Sequence, residues 1–211
     1  QHTEATLMPW DAVILEDSPE RVSAKFSVRT TRTPFWIEKI VTLNIDSPIL
    51  TVTDTLTNEA EEVAEAQWGQ HVALGEPFLT SNCRLDMSQA DHFVPAGGGN
   101  RLMDNHTGTW PNAIDPNSKD VDLTKFPPKS DRTQDYSVFK NQKEGWYAVT
   151  NPDIGIGFGL SYPVKIFQYL WYWQVFGGGS GYPWYNRTYN VGLEPFTSLG
   201  AGIPEPGSEE R

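Results

Sequence analysis

The chain has 211 residues, enough for one domain of ordinary size with a substantial buried core. Its 16 basic and 27 acidic residues leave a formal net charge of -11, which argues against nucleic acid as a partner, since phosphate binding rests on clustered Lys and Arg. The most apolar stretch, VKIFQYLWYWQVF, falls short of the roughly 20 residues that cross a bilayer and carries Lys165 and two glutamines, so no membrane partner is expected.

The chain opens on HTEATLMPW, which reads as the middle of a motif. Gln1 is not an initiator methionine, and no basic-then-apolar signal segment follows. The expectation is a single domain over residues 1–211 that lacks its N-terminal strands. Regular alternation begins at RVSAKFSVRT, where Val22, Ala24, Phe26 and Val28 share one face and Arg21, Ser23, Lys25 and Ser27 the other. FWIEKIVTLNI and ILTVTDTLTN follow, separated by the Ser47-Pro48 turn. The single cysteine, Cys83, rules out an intrachain disulfide framework and fits a reducing compartment, hence a cytoplasmic location. Residues 95–135 are rich in Gly, Pro, Asn and Asp and read as a long loop region of the kind that is either functional or disordered. Strand-like sequence resumes with GWYAVTNP, IGIGFGLSY, KIFQYLWYWQVF and TYNVGLEPFTS, and GIPEPGSEER is a polar tail. No segment has helical periodicity of any length. The pattern predicts an all-β chain, a large antiparallel β-sandwich with little helix. A sheet lacking its first strands has open edges, so a homo-oligomer, or a missing N-terminal segment that completes the sheet, is expected to cover them.

Few residues can do chemistry. The four histidines, His2, His71, His92 and His106, form no closely spaced pair, and one cysteine cannot make a thiolate site, so no metal is expected. GGGSGY has glycines placed as in a nucleophile elbow, but Tyr182-Pro183 follows instead of a helix, and no Lys-Ser/Thr completes a phosphate loop. His71, in QWGQHVALGEPFL, and Glu194, in YNVGLEPF, each end a strand-like run and precede a turn. A carboxylate in so uncharged a run loses solvation, which raises its pKa toward the range of a base near neutral pH. A histidine starts near that range. Two readings stand on these residues: an acid and a base held apart across a pocket, or a core histidine and a strand-end ion-pair partner.

Aromatic residues bear on the ligand. Trp171, Trp173 and Trp184 cluster with Tyr169, Tyr172, Tyr182 and Tyr185, and sugars stack their C–H faces on such rings. The other reading is that alternate members of the stripe simply face the core. Gln174, Arg187 and one or two of these tryptophans are expected in the same concavity as His71 and Glu194. Alternation puts Gln174 on the face opposite Trp171 and Trp173. Arg187 reaches the pocket only through a bend or bulge in NRTYN, and is otherwise a surface arginine.

Three stretches, HTEATLMPW, VTDTLTNEAEEVAEAQWGQHVALGEPFL and YNVGLEPFTS, resemble the aldose 1-epimerase (galactose mutarotase-like) family, in a divergent branch where HGEA…PW replaces the usual first motif. Thr3 stands where that branch has Gly. The resemblance implies a two-sheet β-sandwich, a pocket on the concave face of one sheet, and a cofactor-free isomerase that opens a sugar ring. It implies His71 as general acid, Glu194 as general base, and His2 as a histidine that binds the sugar near the ring oxygen. No stretch matches the family's N-terminal arginine, and its binding aspartate has no clear counterpart. A sugar-binding β-sandwich module without turnover is the alternative.

Overall fold

Four strands form from the alternating N-terminal sequence: β1 (Asp11–Asp17), β2 (Arg21–Arg29), β3 (Phe35–Asn44) and β4 (Leu50–Asn58). The computed structural model describes residues 4–200 and divides the chain into two compact units between Ala66 and Gln67. In the first unit the four strands make one antiparallel meander in sequence order. Its register sets Val22 beside Leu43 and Leu43 beside Leu50, and likewise Ala24 beside Val41 and Val41 beside Val52. Branched apolar side chains therefore line up across one face, which is how cross-strand pairs stabilise a sheet. A short helix, Glu4–Leu7, precedes β1.

The second unit contains β5 (Ala73–Gly75), β6 (Arg84–Met87), β7 (Asp91–Val94), β8 (His106–Thr109), β9 (Asn112–Ile114) and β10 (Asp120–Asp122). After a 3-10 turn at Lys129–Asp131 come β11 (Thr133–Lys140), β12 (Trp146–Asn151), β13 (Ile156–Ser161), β14 (Tyr169–Phe176) and β15 (Tyr189–Phe196). A six-stranded sheet has the order β5-β15-β14-β11-β7-β8, a three-stranded sheet β13-β12-β6, and β9 pairs with β10. Every strand pair is antiparallel. The all-β, helix-poor expectation holds, and the stretch read as a long loop region carries β8, β9 and β10. Among the described residues no helix is long and apolar enough to cross a membrane.

The core of this unit lies between its two larger sheets. Phe139, Leu170, Tyr172, Phe176, Val191 and Leu193 of the six-stranded sheet join Leu85, Met87, Tyr147 and Val149 of the three-stranded one in a single buried cluster. Tyr147 Oη donates to the Leu193 carbonyl at 3.0 Å, tying β12 to β15 across it.

Strand β11 runs through the middle of the large sheet, yet its core-facing side carries Asp135 and Ser137, both buried. Asp135 is tolerated because the preceding loop is built around it. The Leu102 and Arg101 amides donate to Oδ1 at 2.9 and 3.0 Å, and Arg101 Nε reaches Oδ2 at 3.3 Å. Burial pushes the carboxyl up, against the pull of those amides and the guanidinium. Gly99 permits this close approach, since a Cβ there would meet the Gln134 carbonyl and the Asp135 backbone. Replacing Asp135 with Ala strips the partner from a largely buried guanidinium and from two amides. Urea unfolding is expected to show a loss of about 3–5 kcal/mol, whereas Arg187→Ala, on an exposed residue, is expected to stay within about 0.5 kcal/mol.

Candidate functional site

Strand register assembles the site. Across β14 and β15, Trp171 faces Glu194 and Trp173 faces Gly192, so all four positions share the side of the sheet turned away from the core. The segment before β5 follows the free side of β15. Gly69 bridges to Phe196 and Ala73 pairs with Gly192, while Gln70 N–H donates to the Pro195 carbonyl at 3.0 Å and Leu193 N–H to the Val72 carbonyl at 2.9 Å. His71, midway, therefore falls opposite Glu194, and its Nδ1 lies 3.5 Å from Oε1. Two glycines make the fit possible. A Cβ at Gly192 would occupy the place of the Glu194 carboxylate, and one at Gly69 would enter the Phe196 ring.

The carboxylate is walled by aromatic rings. Trp171 stacks on Phe196 with centroids 3.6 Å apart and planes at 7°, its Nε1 donates to the Ser198 carbonyl at 2.8 Å, and Tyr136 meets it edge-on at 6.0 Å. The Glu194 side chain is 7% exposed and that of His71 50%. Burial pushes Glu194 from its ordinary 4.5 up to about 7, the direction expected when a charge loses water faster than it gains partners. Burial also drives the Tyr136 hydroxyl far up, with the Glu194 charge adding to it. The arrangement is a desolvated carboxyl able to hold or release a proton near neutral pH, beside an imidazole that reaches solvent.

Not every expected residue joins this pair. Trp171 is beside Glu194, but at 4% exposure, with one face on Phe196 and its N–H committed, it excludes water from the carboxylate and offers no free ring to a ligand. Trp173 is partly exposed and lies 5.3 Å from Trp184, ring to ring. Gln174 does not reach the Glu194 face: it pairs with Asp135 on the core side, where its Oε1 accepts from Arg101 Nη2 at 2.6 Å. Strand alternation alone dictates that outcome. Arg187 is exposed, its amide donates to the Trp184 carbonyl at 3.0 Å, and its guanidinium forms no ion pair among the described residues. His2 lies outside the described residues. His71 and Glu194 are also not held apart across a pocket, because the chain between Gly69 and Ala73 runs directly along β15. Among the described residues no group of three or more His, Cys, Asp or Glu side chains is placed to hold a metal ion.

Sequence reasoning missed Tyr136, Phe196, Gly69 and Gly192. Gly192 carried a readable signal, since a glycine two residues before an isolated strand carboxylate leaves same-face space for it.

The chain resembles proteins of known structure. A galactose mutarotase related enzyme from Lactobacillus acidophilus matches with a TM-score of 0.56 and 13% identity, over 93% of this chain and 61% of that one. A galactose mutarotase-like protein from Lactobacillus casei ATCC 334 matches with a TM-score of 0.55 and 18% identity, over 98% of this chain and 67% of that one. The chain thus spans 61% and 67% of the length of these two neighbours. At such identities the likeness is one of fold, and the fold is the galactose mutarotase-like β-sandwich. No curated protein matches the sequence. A family profile described as "Domain of unknown function (DUF4432)" matches residues 16–205.

The burial of Glu194 has a consequence for stability. With its pKa raised from 4.5 to about 7, the folded state binds the proton more tightly than the unfolded state does. Its contribution is therefore intact below about pH 4.5 and lost as pH rises to about 7, by about 3 kcal/mol in total. Glu194→Gln removes that titration. Urea midpoints measured from pH 4.5 to 8 are expected to show wild type losing ground to the variant across this window and no further change above it. A constant difference across the range would mean that Glu194 keeps an ordinary pKa.

Proposed function

This chain belongs to the family described as a domain of unknown function (DUF4432), and we propose that it is an isomerase of the aldose 1-epimerase kind, interconverting the α and β anomers of an aldose. The observation that carries the reading is the His71–Glu194 pair, a carboxyl raised to about 7 next to an imidazole open to solvent. Ionised Glu194 takes the proton from the anomeric hydroxyl while protonated His71 gives one to the ring oxygen. The bond from C1 to the ring oxygen breaks and a free aldehyde forms. Rotation about C1–C2 and closure with the roles reversed deliver the other anomer and restore both protons. Ring opening and closure are redox-neutral and the two side chains supply both proton transfers, so the mechanism calls on neither cofactor nor metal. The pair is 3.5 Å apart, too close to admit a sugar ring, so this mechanism requires the half-exposed His71 side chain to move from buried Glu194 when sugar binds. The lone, buried Cys83 is in keeping with a cytoplasmic location.

The close His71–Glu194 contact also favours a second reading, a sugar-binding module in which the pair is static. Polarimetry on freshly dissolved α-glucose and α-galactose, beside calorimetric titration with the same sugars, separates the two. Acceleration supports the isomerase, and binding without acceleration supports the module. In the isomerase, Glu194→Gln and His71→Asn each lower the rate by about 10²–10⁴-fold. Because ionised Glu194 and protonated His71 are both required, its rate follows a bell-shaped pH profile, and the limb that reports Glu194 is lost in Glu194→Gln. Wild-type rates in both variants would overturn this mechanism.

A further inference from the structure

The outer face of β14 does not end at Glu194. Trp173 is the next residue on that face after Trp171, and the residue opposite it is Gly192, which has no side chain. Trp173 is thus the diagonal neighbour of Glu194, about 7 Å away, on the scale of one sugar unit. Trp184 stands beside it, with ring centroids 5.3 Å apart, and is delivered by the loop of residues 177–188.

That loop turns through left-handed backbone, which glycine adopts freely and residues with side chains only at a cost. Gly177, Gly179 and Gly181 have φ of 71°, 78° and 72°, and two residues with side chains, Tyr185 and Asn186, have φ of 48° and 56°. A tyrosine in the left-handed region is rare and persists only where surrounding contacts hold it. Here Tyr185 N–H donates to the Gly181 carbonyl at 2.7 Å, Asn186 N–H to Gly179 at 2.9 Å, and Gly177 N–H to Thr188 at 2.8 Å. Gly179 lies so close to Trp184 that a Cβ would come within 2.9 Å of its ring. What this rigid loop displays is not core: Tyr182 is 86% exposed and Tyr185 58%, with their rings edge to face at 6.5 Å. Folding gives no reason to hold two tyrosines in water on a strained loop, whereas ligand clamps are where such strain collects.

We propose that Trp173, Trp184 and the tyrosines of this loop form a second sugar subsite, so that the site takes a neutral di- or oligosaccharide. The proposal rests on the aldose reading above. Only a reducing-end unit has the anomeric hydroxyl that Glu194 acts on, so that unit is the one placed at Glu194. The next unit then lies against the loop, with its C–H faces on the rings. Residues 177–188 hold three aromatic rings against one charged side chain, the exposed Arg187, a balance that suits a neutral glycan better than a sugar phosphate.

Calorimetric titration of the whole chain with glucose, galactose, maltose, cellobiose and lactose tests this. At least one disaccharide is expected to bind about tenfold tighter than its reducing-end monosaccharide, the worth of one or two ring contacts. The ratio is expected to fall to near one in a Tyr182→Ser/Tyr185→Ser variant and to survive in Tyr182→Phe/Tyr185→Phe, which keeps the rings. Both changes fall on exposed residues and spare the core. A wild-type ratio near one, a ratio indifferent to the serine changes, or no saccharide binding at all overturns the subsite. Polarimetry on the monosaccharides reports separately on the aldose reading: monosaccharide turnover without a disaccharide gain removes the subsite alone, and a disaccharide gain without turnover removes the isomerase alone.

Discussion

A carboxylate deprived of water is the constraint around which the second unit is arranged. Glu194 sits on a strand whose two faces are both covered, so nothing about its backbone position solvates it. Trp171 fills the neighbouring strand position, Phe196 lies flat on that indole, and the Trp171 N–H is spent on the Ser198 carbonyl instead of the carboxylate. Leaving a carboxyl with so few donors costs folding free energy at neutral pH. Carboxyls held at that cost are concentrated at sites that handle a proton near pH 7.

The rest of the unit keeps that carboxyl where it is. Glycines at 69 and 192 allow the His71 segment and the carboxylate to occupy space that side chains would otherwise fill. On the other side of the same sheet, β14 and β15 are locked by the core and by the Tyr147 hydrogen bond to Leu193. The Arg101–Asp135–Gln174 cluster fixes the neighbouring β11–β14 pair and the loop that precedes β11. One sheet thus divides by parity: residues pointing inward build the core, and those pointing outward surround Glu194. A rigid inner face is what lets an outer face hold a strained polar group.

Much of this was legible in the sequence, and the failures have physical causes. Strands with one apolar face, such as β2, or apolar on both, such as β14, announced themselves by period or composition. Strand β11 did not, because its inward residues Thr133, Asp135 and Ser137 are polar. Asp135 can be buried only thanks to Arg101, more than thirty residues earlier, a partner no local pattern reveals. Strands β5 to β10 have three or four residues each, too few to show alternation. His71 and Glu194 stood out as isolated ionisable residues in uncharged runs. Their direct contact follows from register between distant segments and was not visible. Gln174 fell on the core face, as its distance of three residues from Trp171 requires. Trp171 itself proved to be a wall and not a platform, a distinction that depends on Phe196 lying across it.

Glu194 is starved of water, and its own titration measures that most directly. Carboxyl carbon NMR of protein labelled at glutamate, with the Glu194 resonance assigned through Glu194→Gln, follows the group from pH 3 to 9. A midpoint near 7 is expected. A midpoint near the ordinary 4.5 would contradict this and show that the carboxylate is solvated in the folded protein.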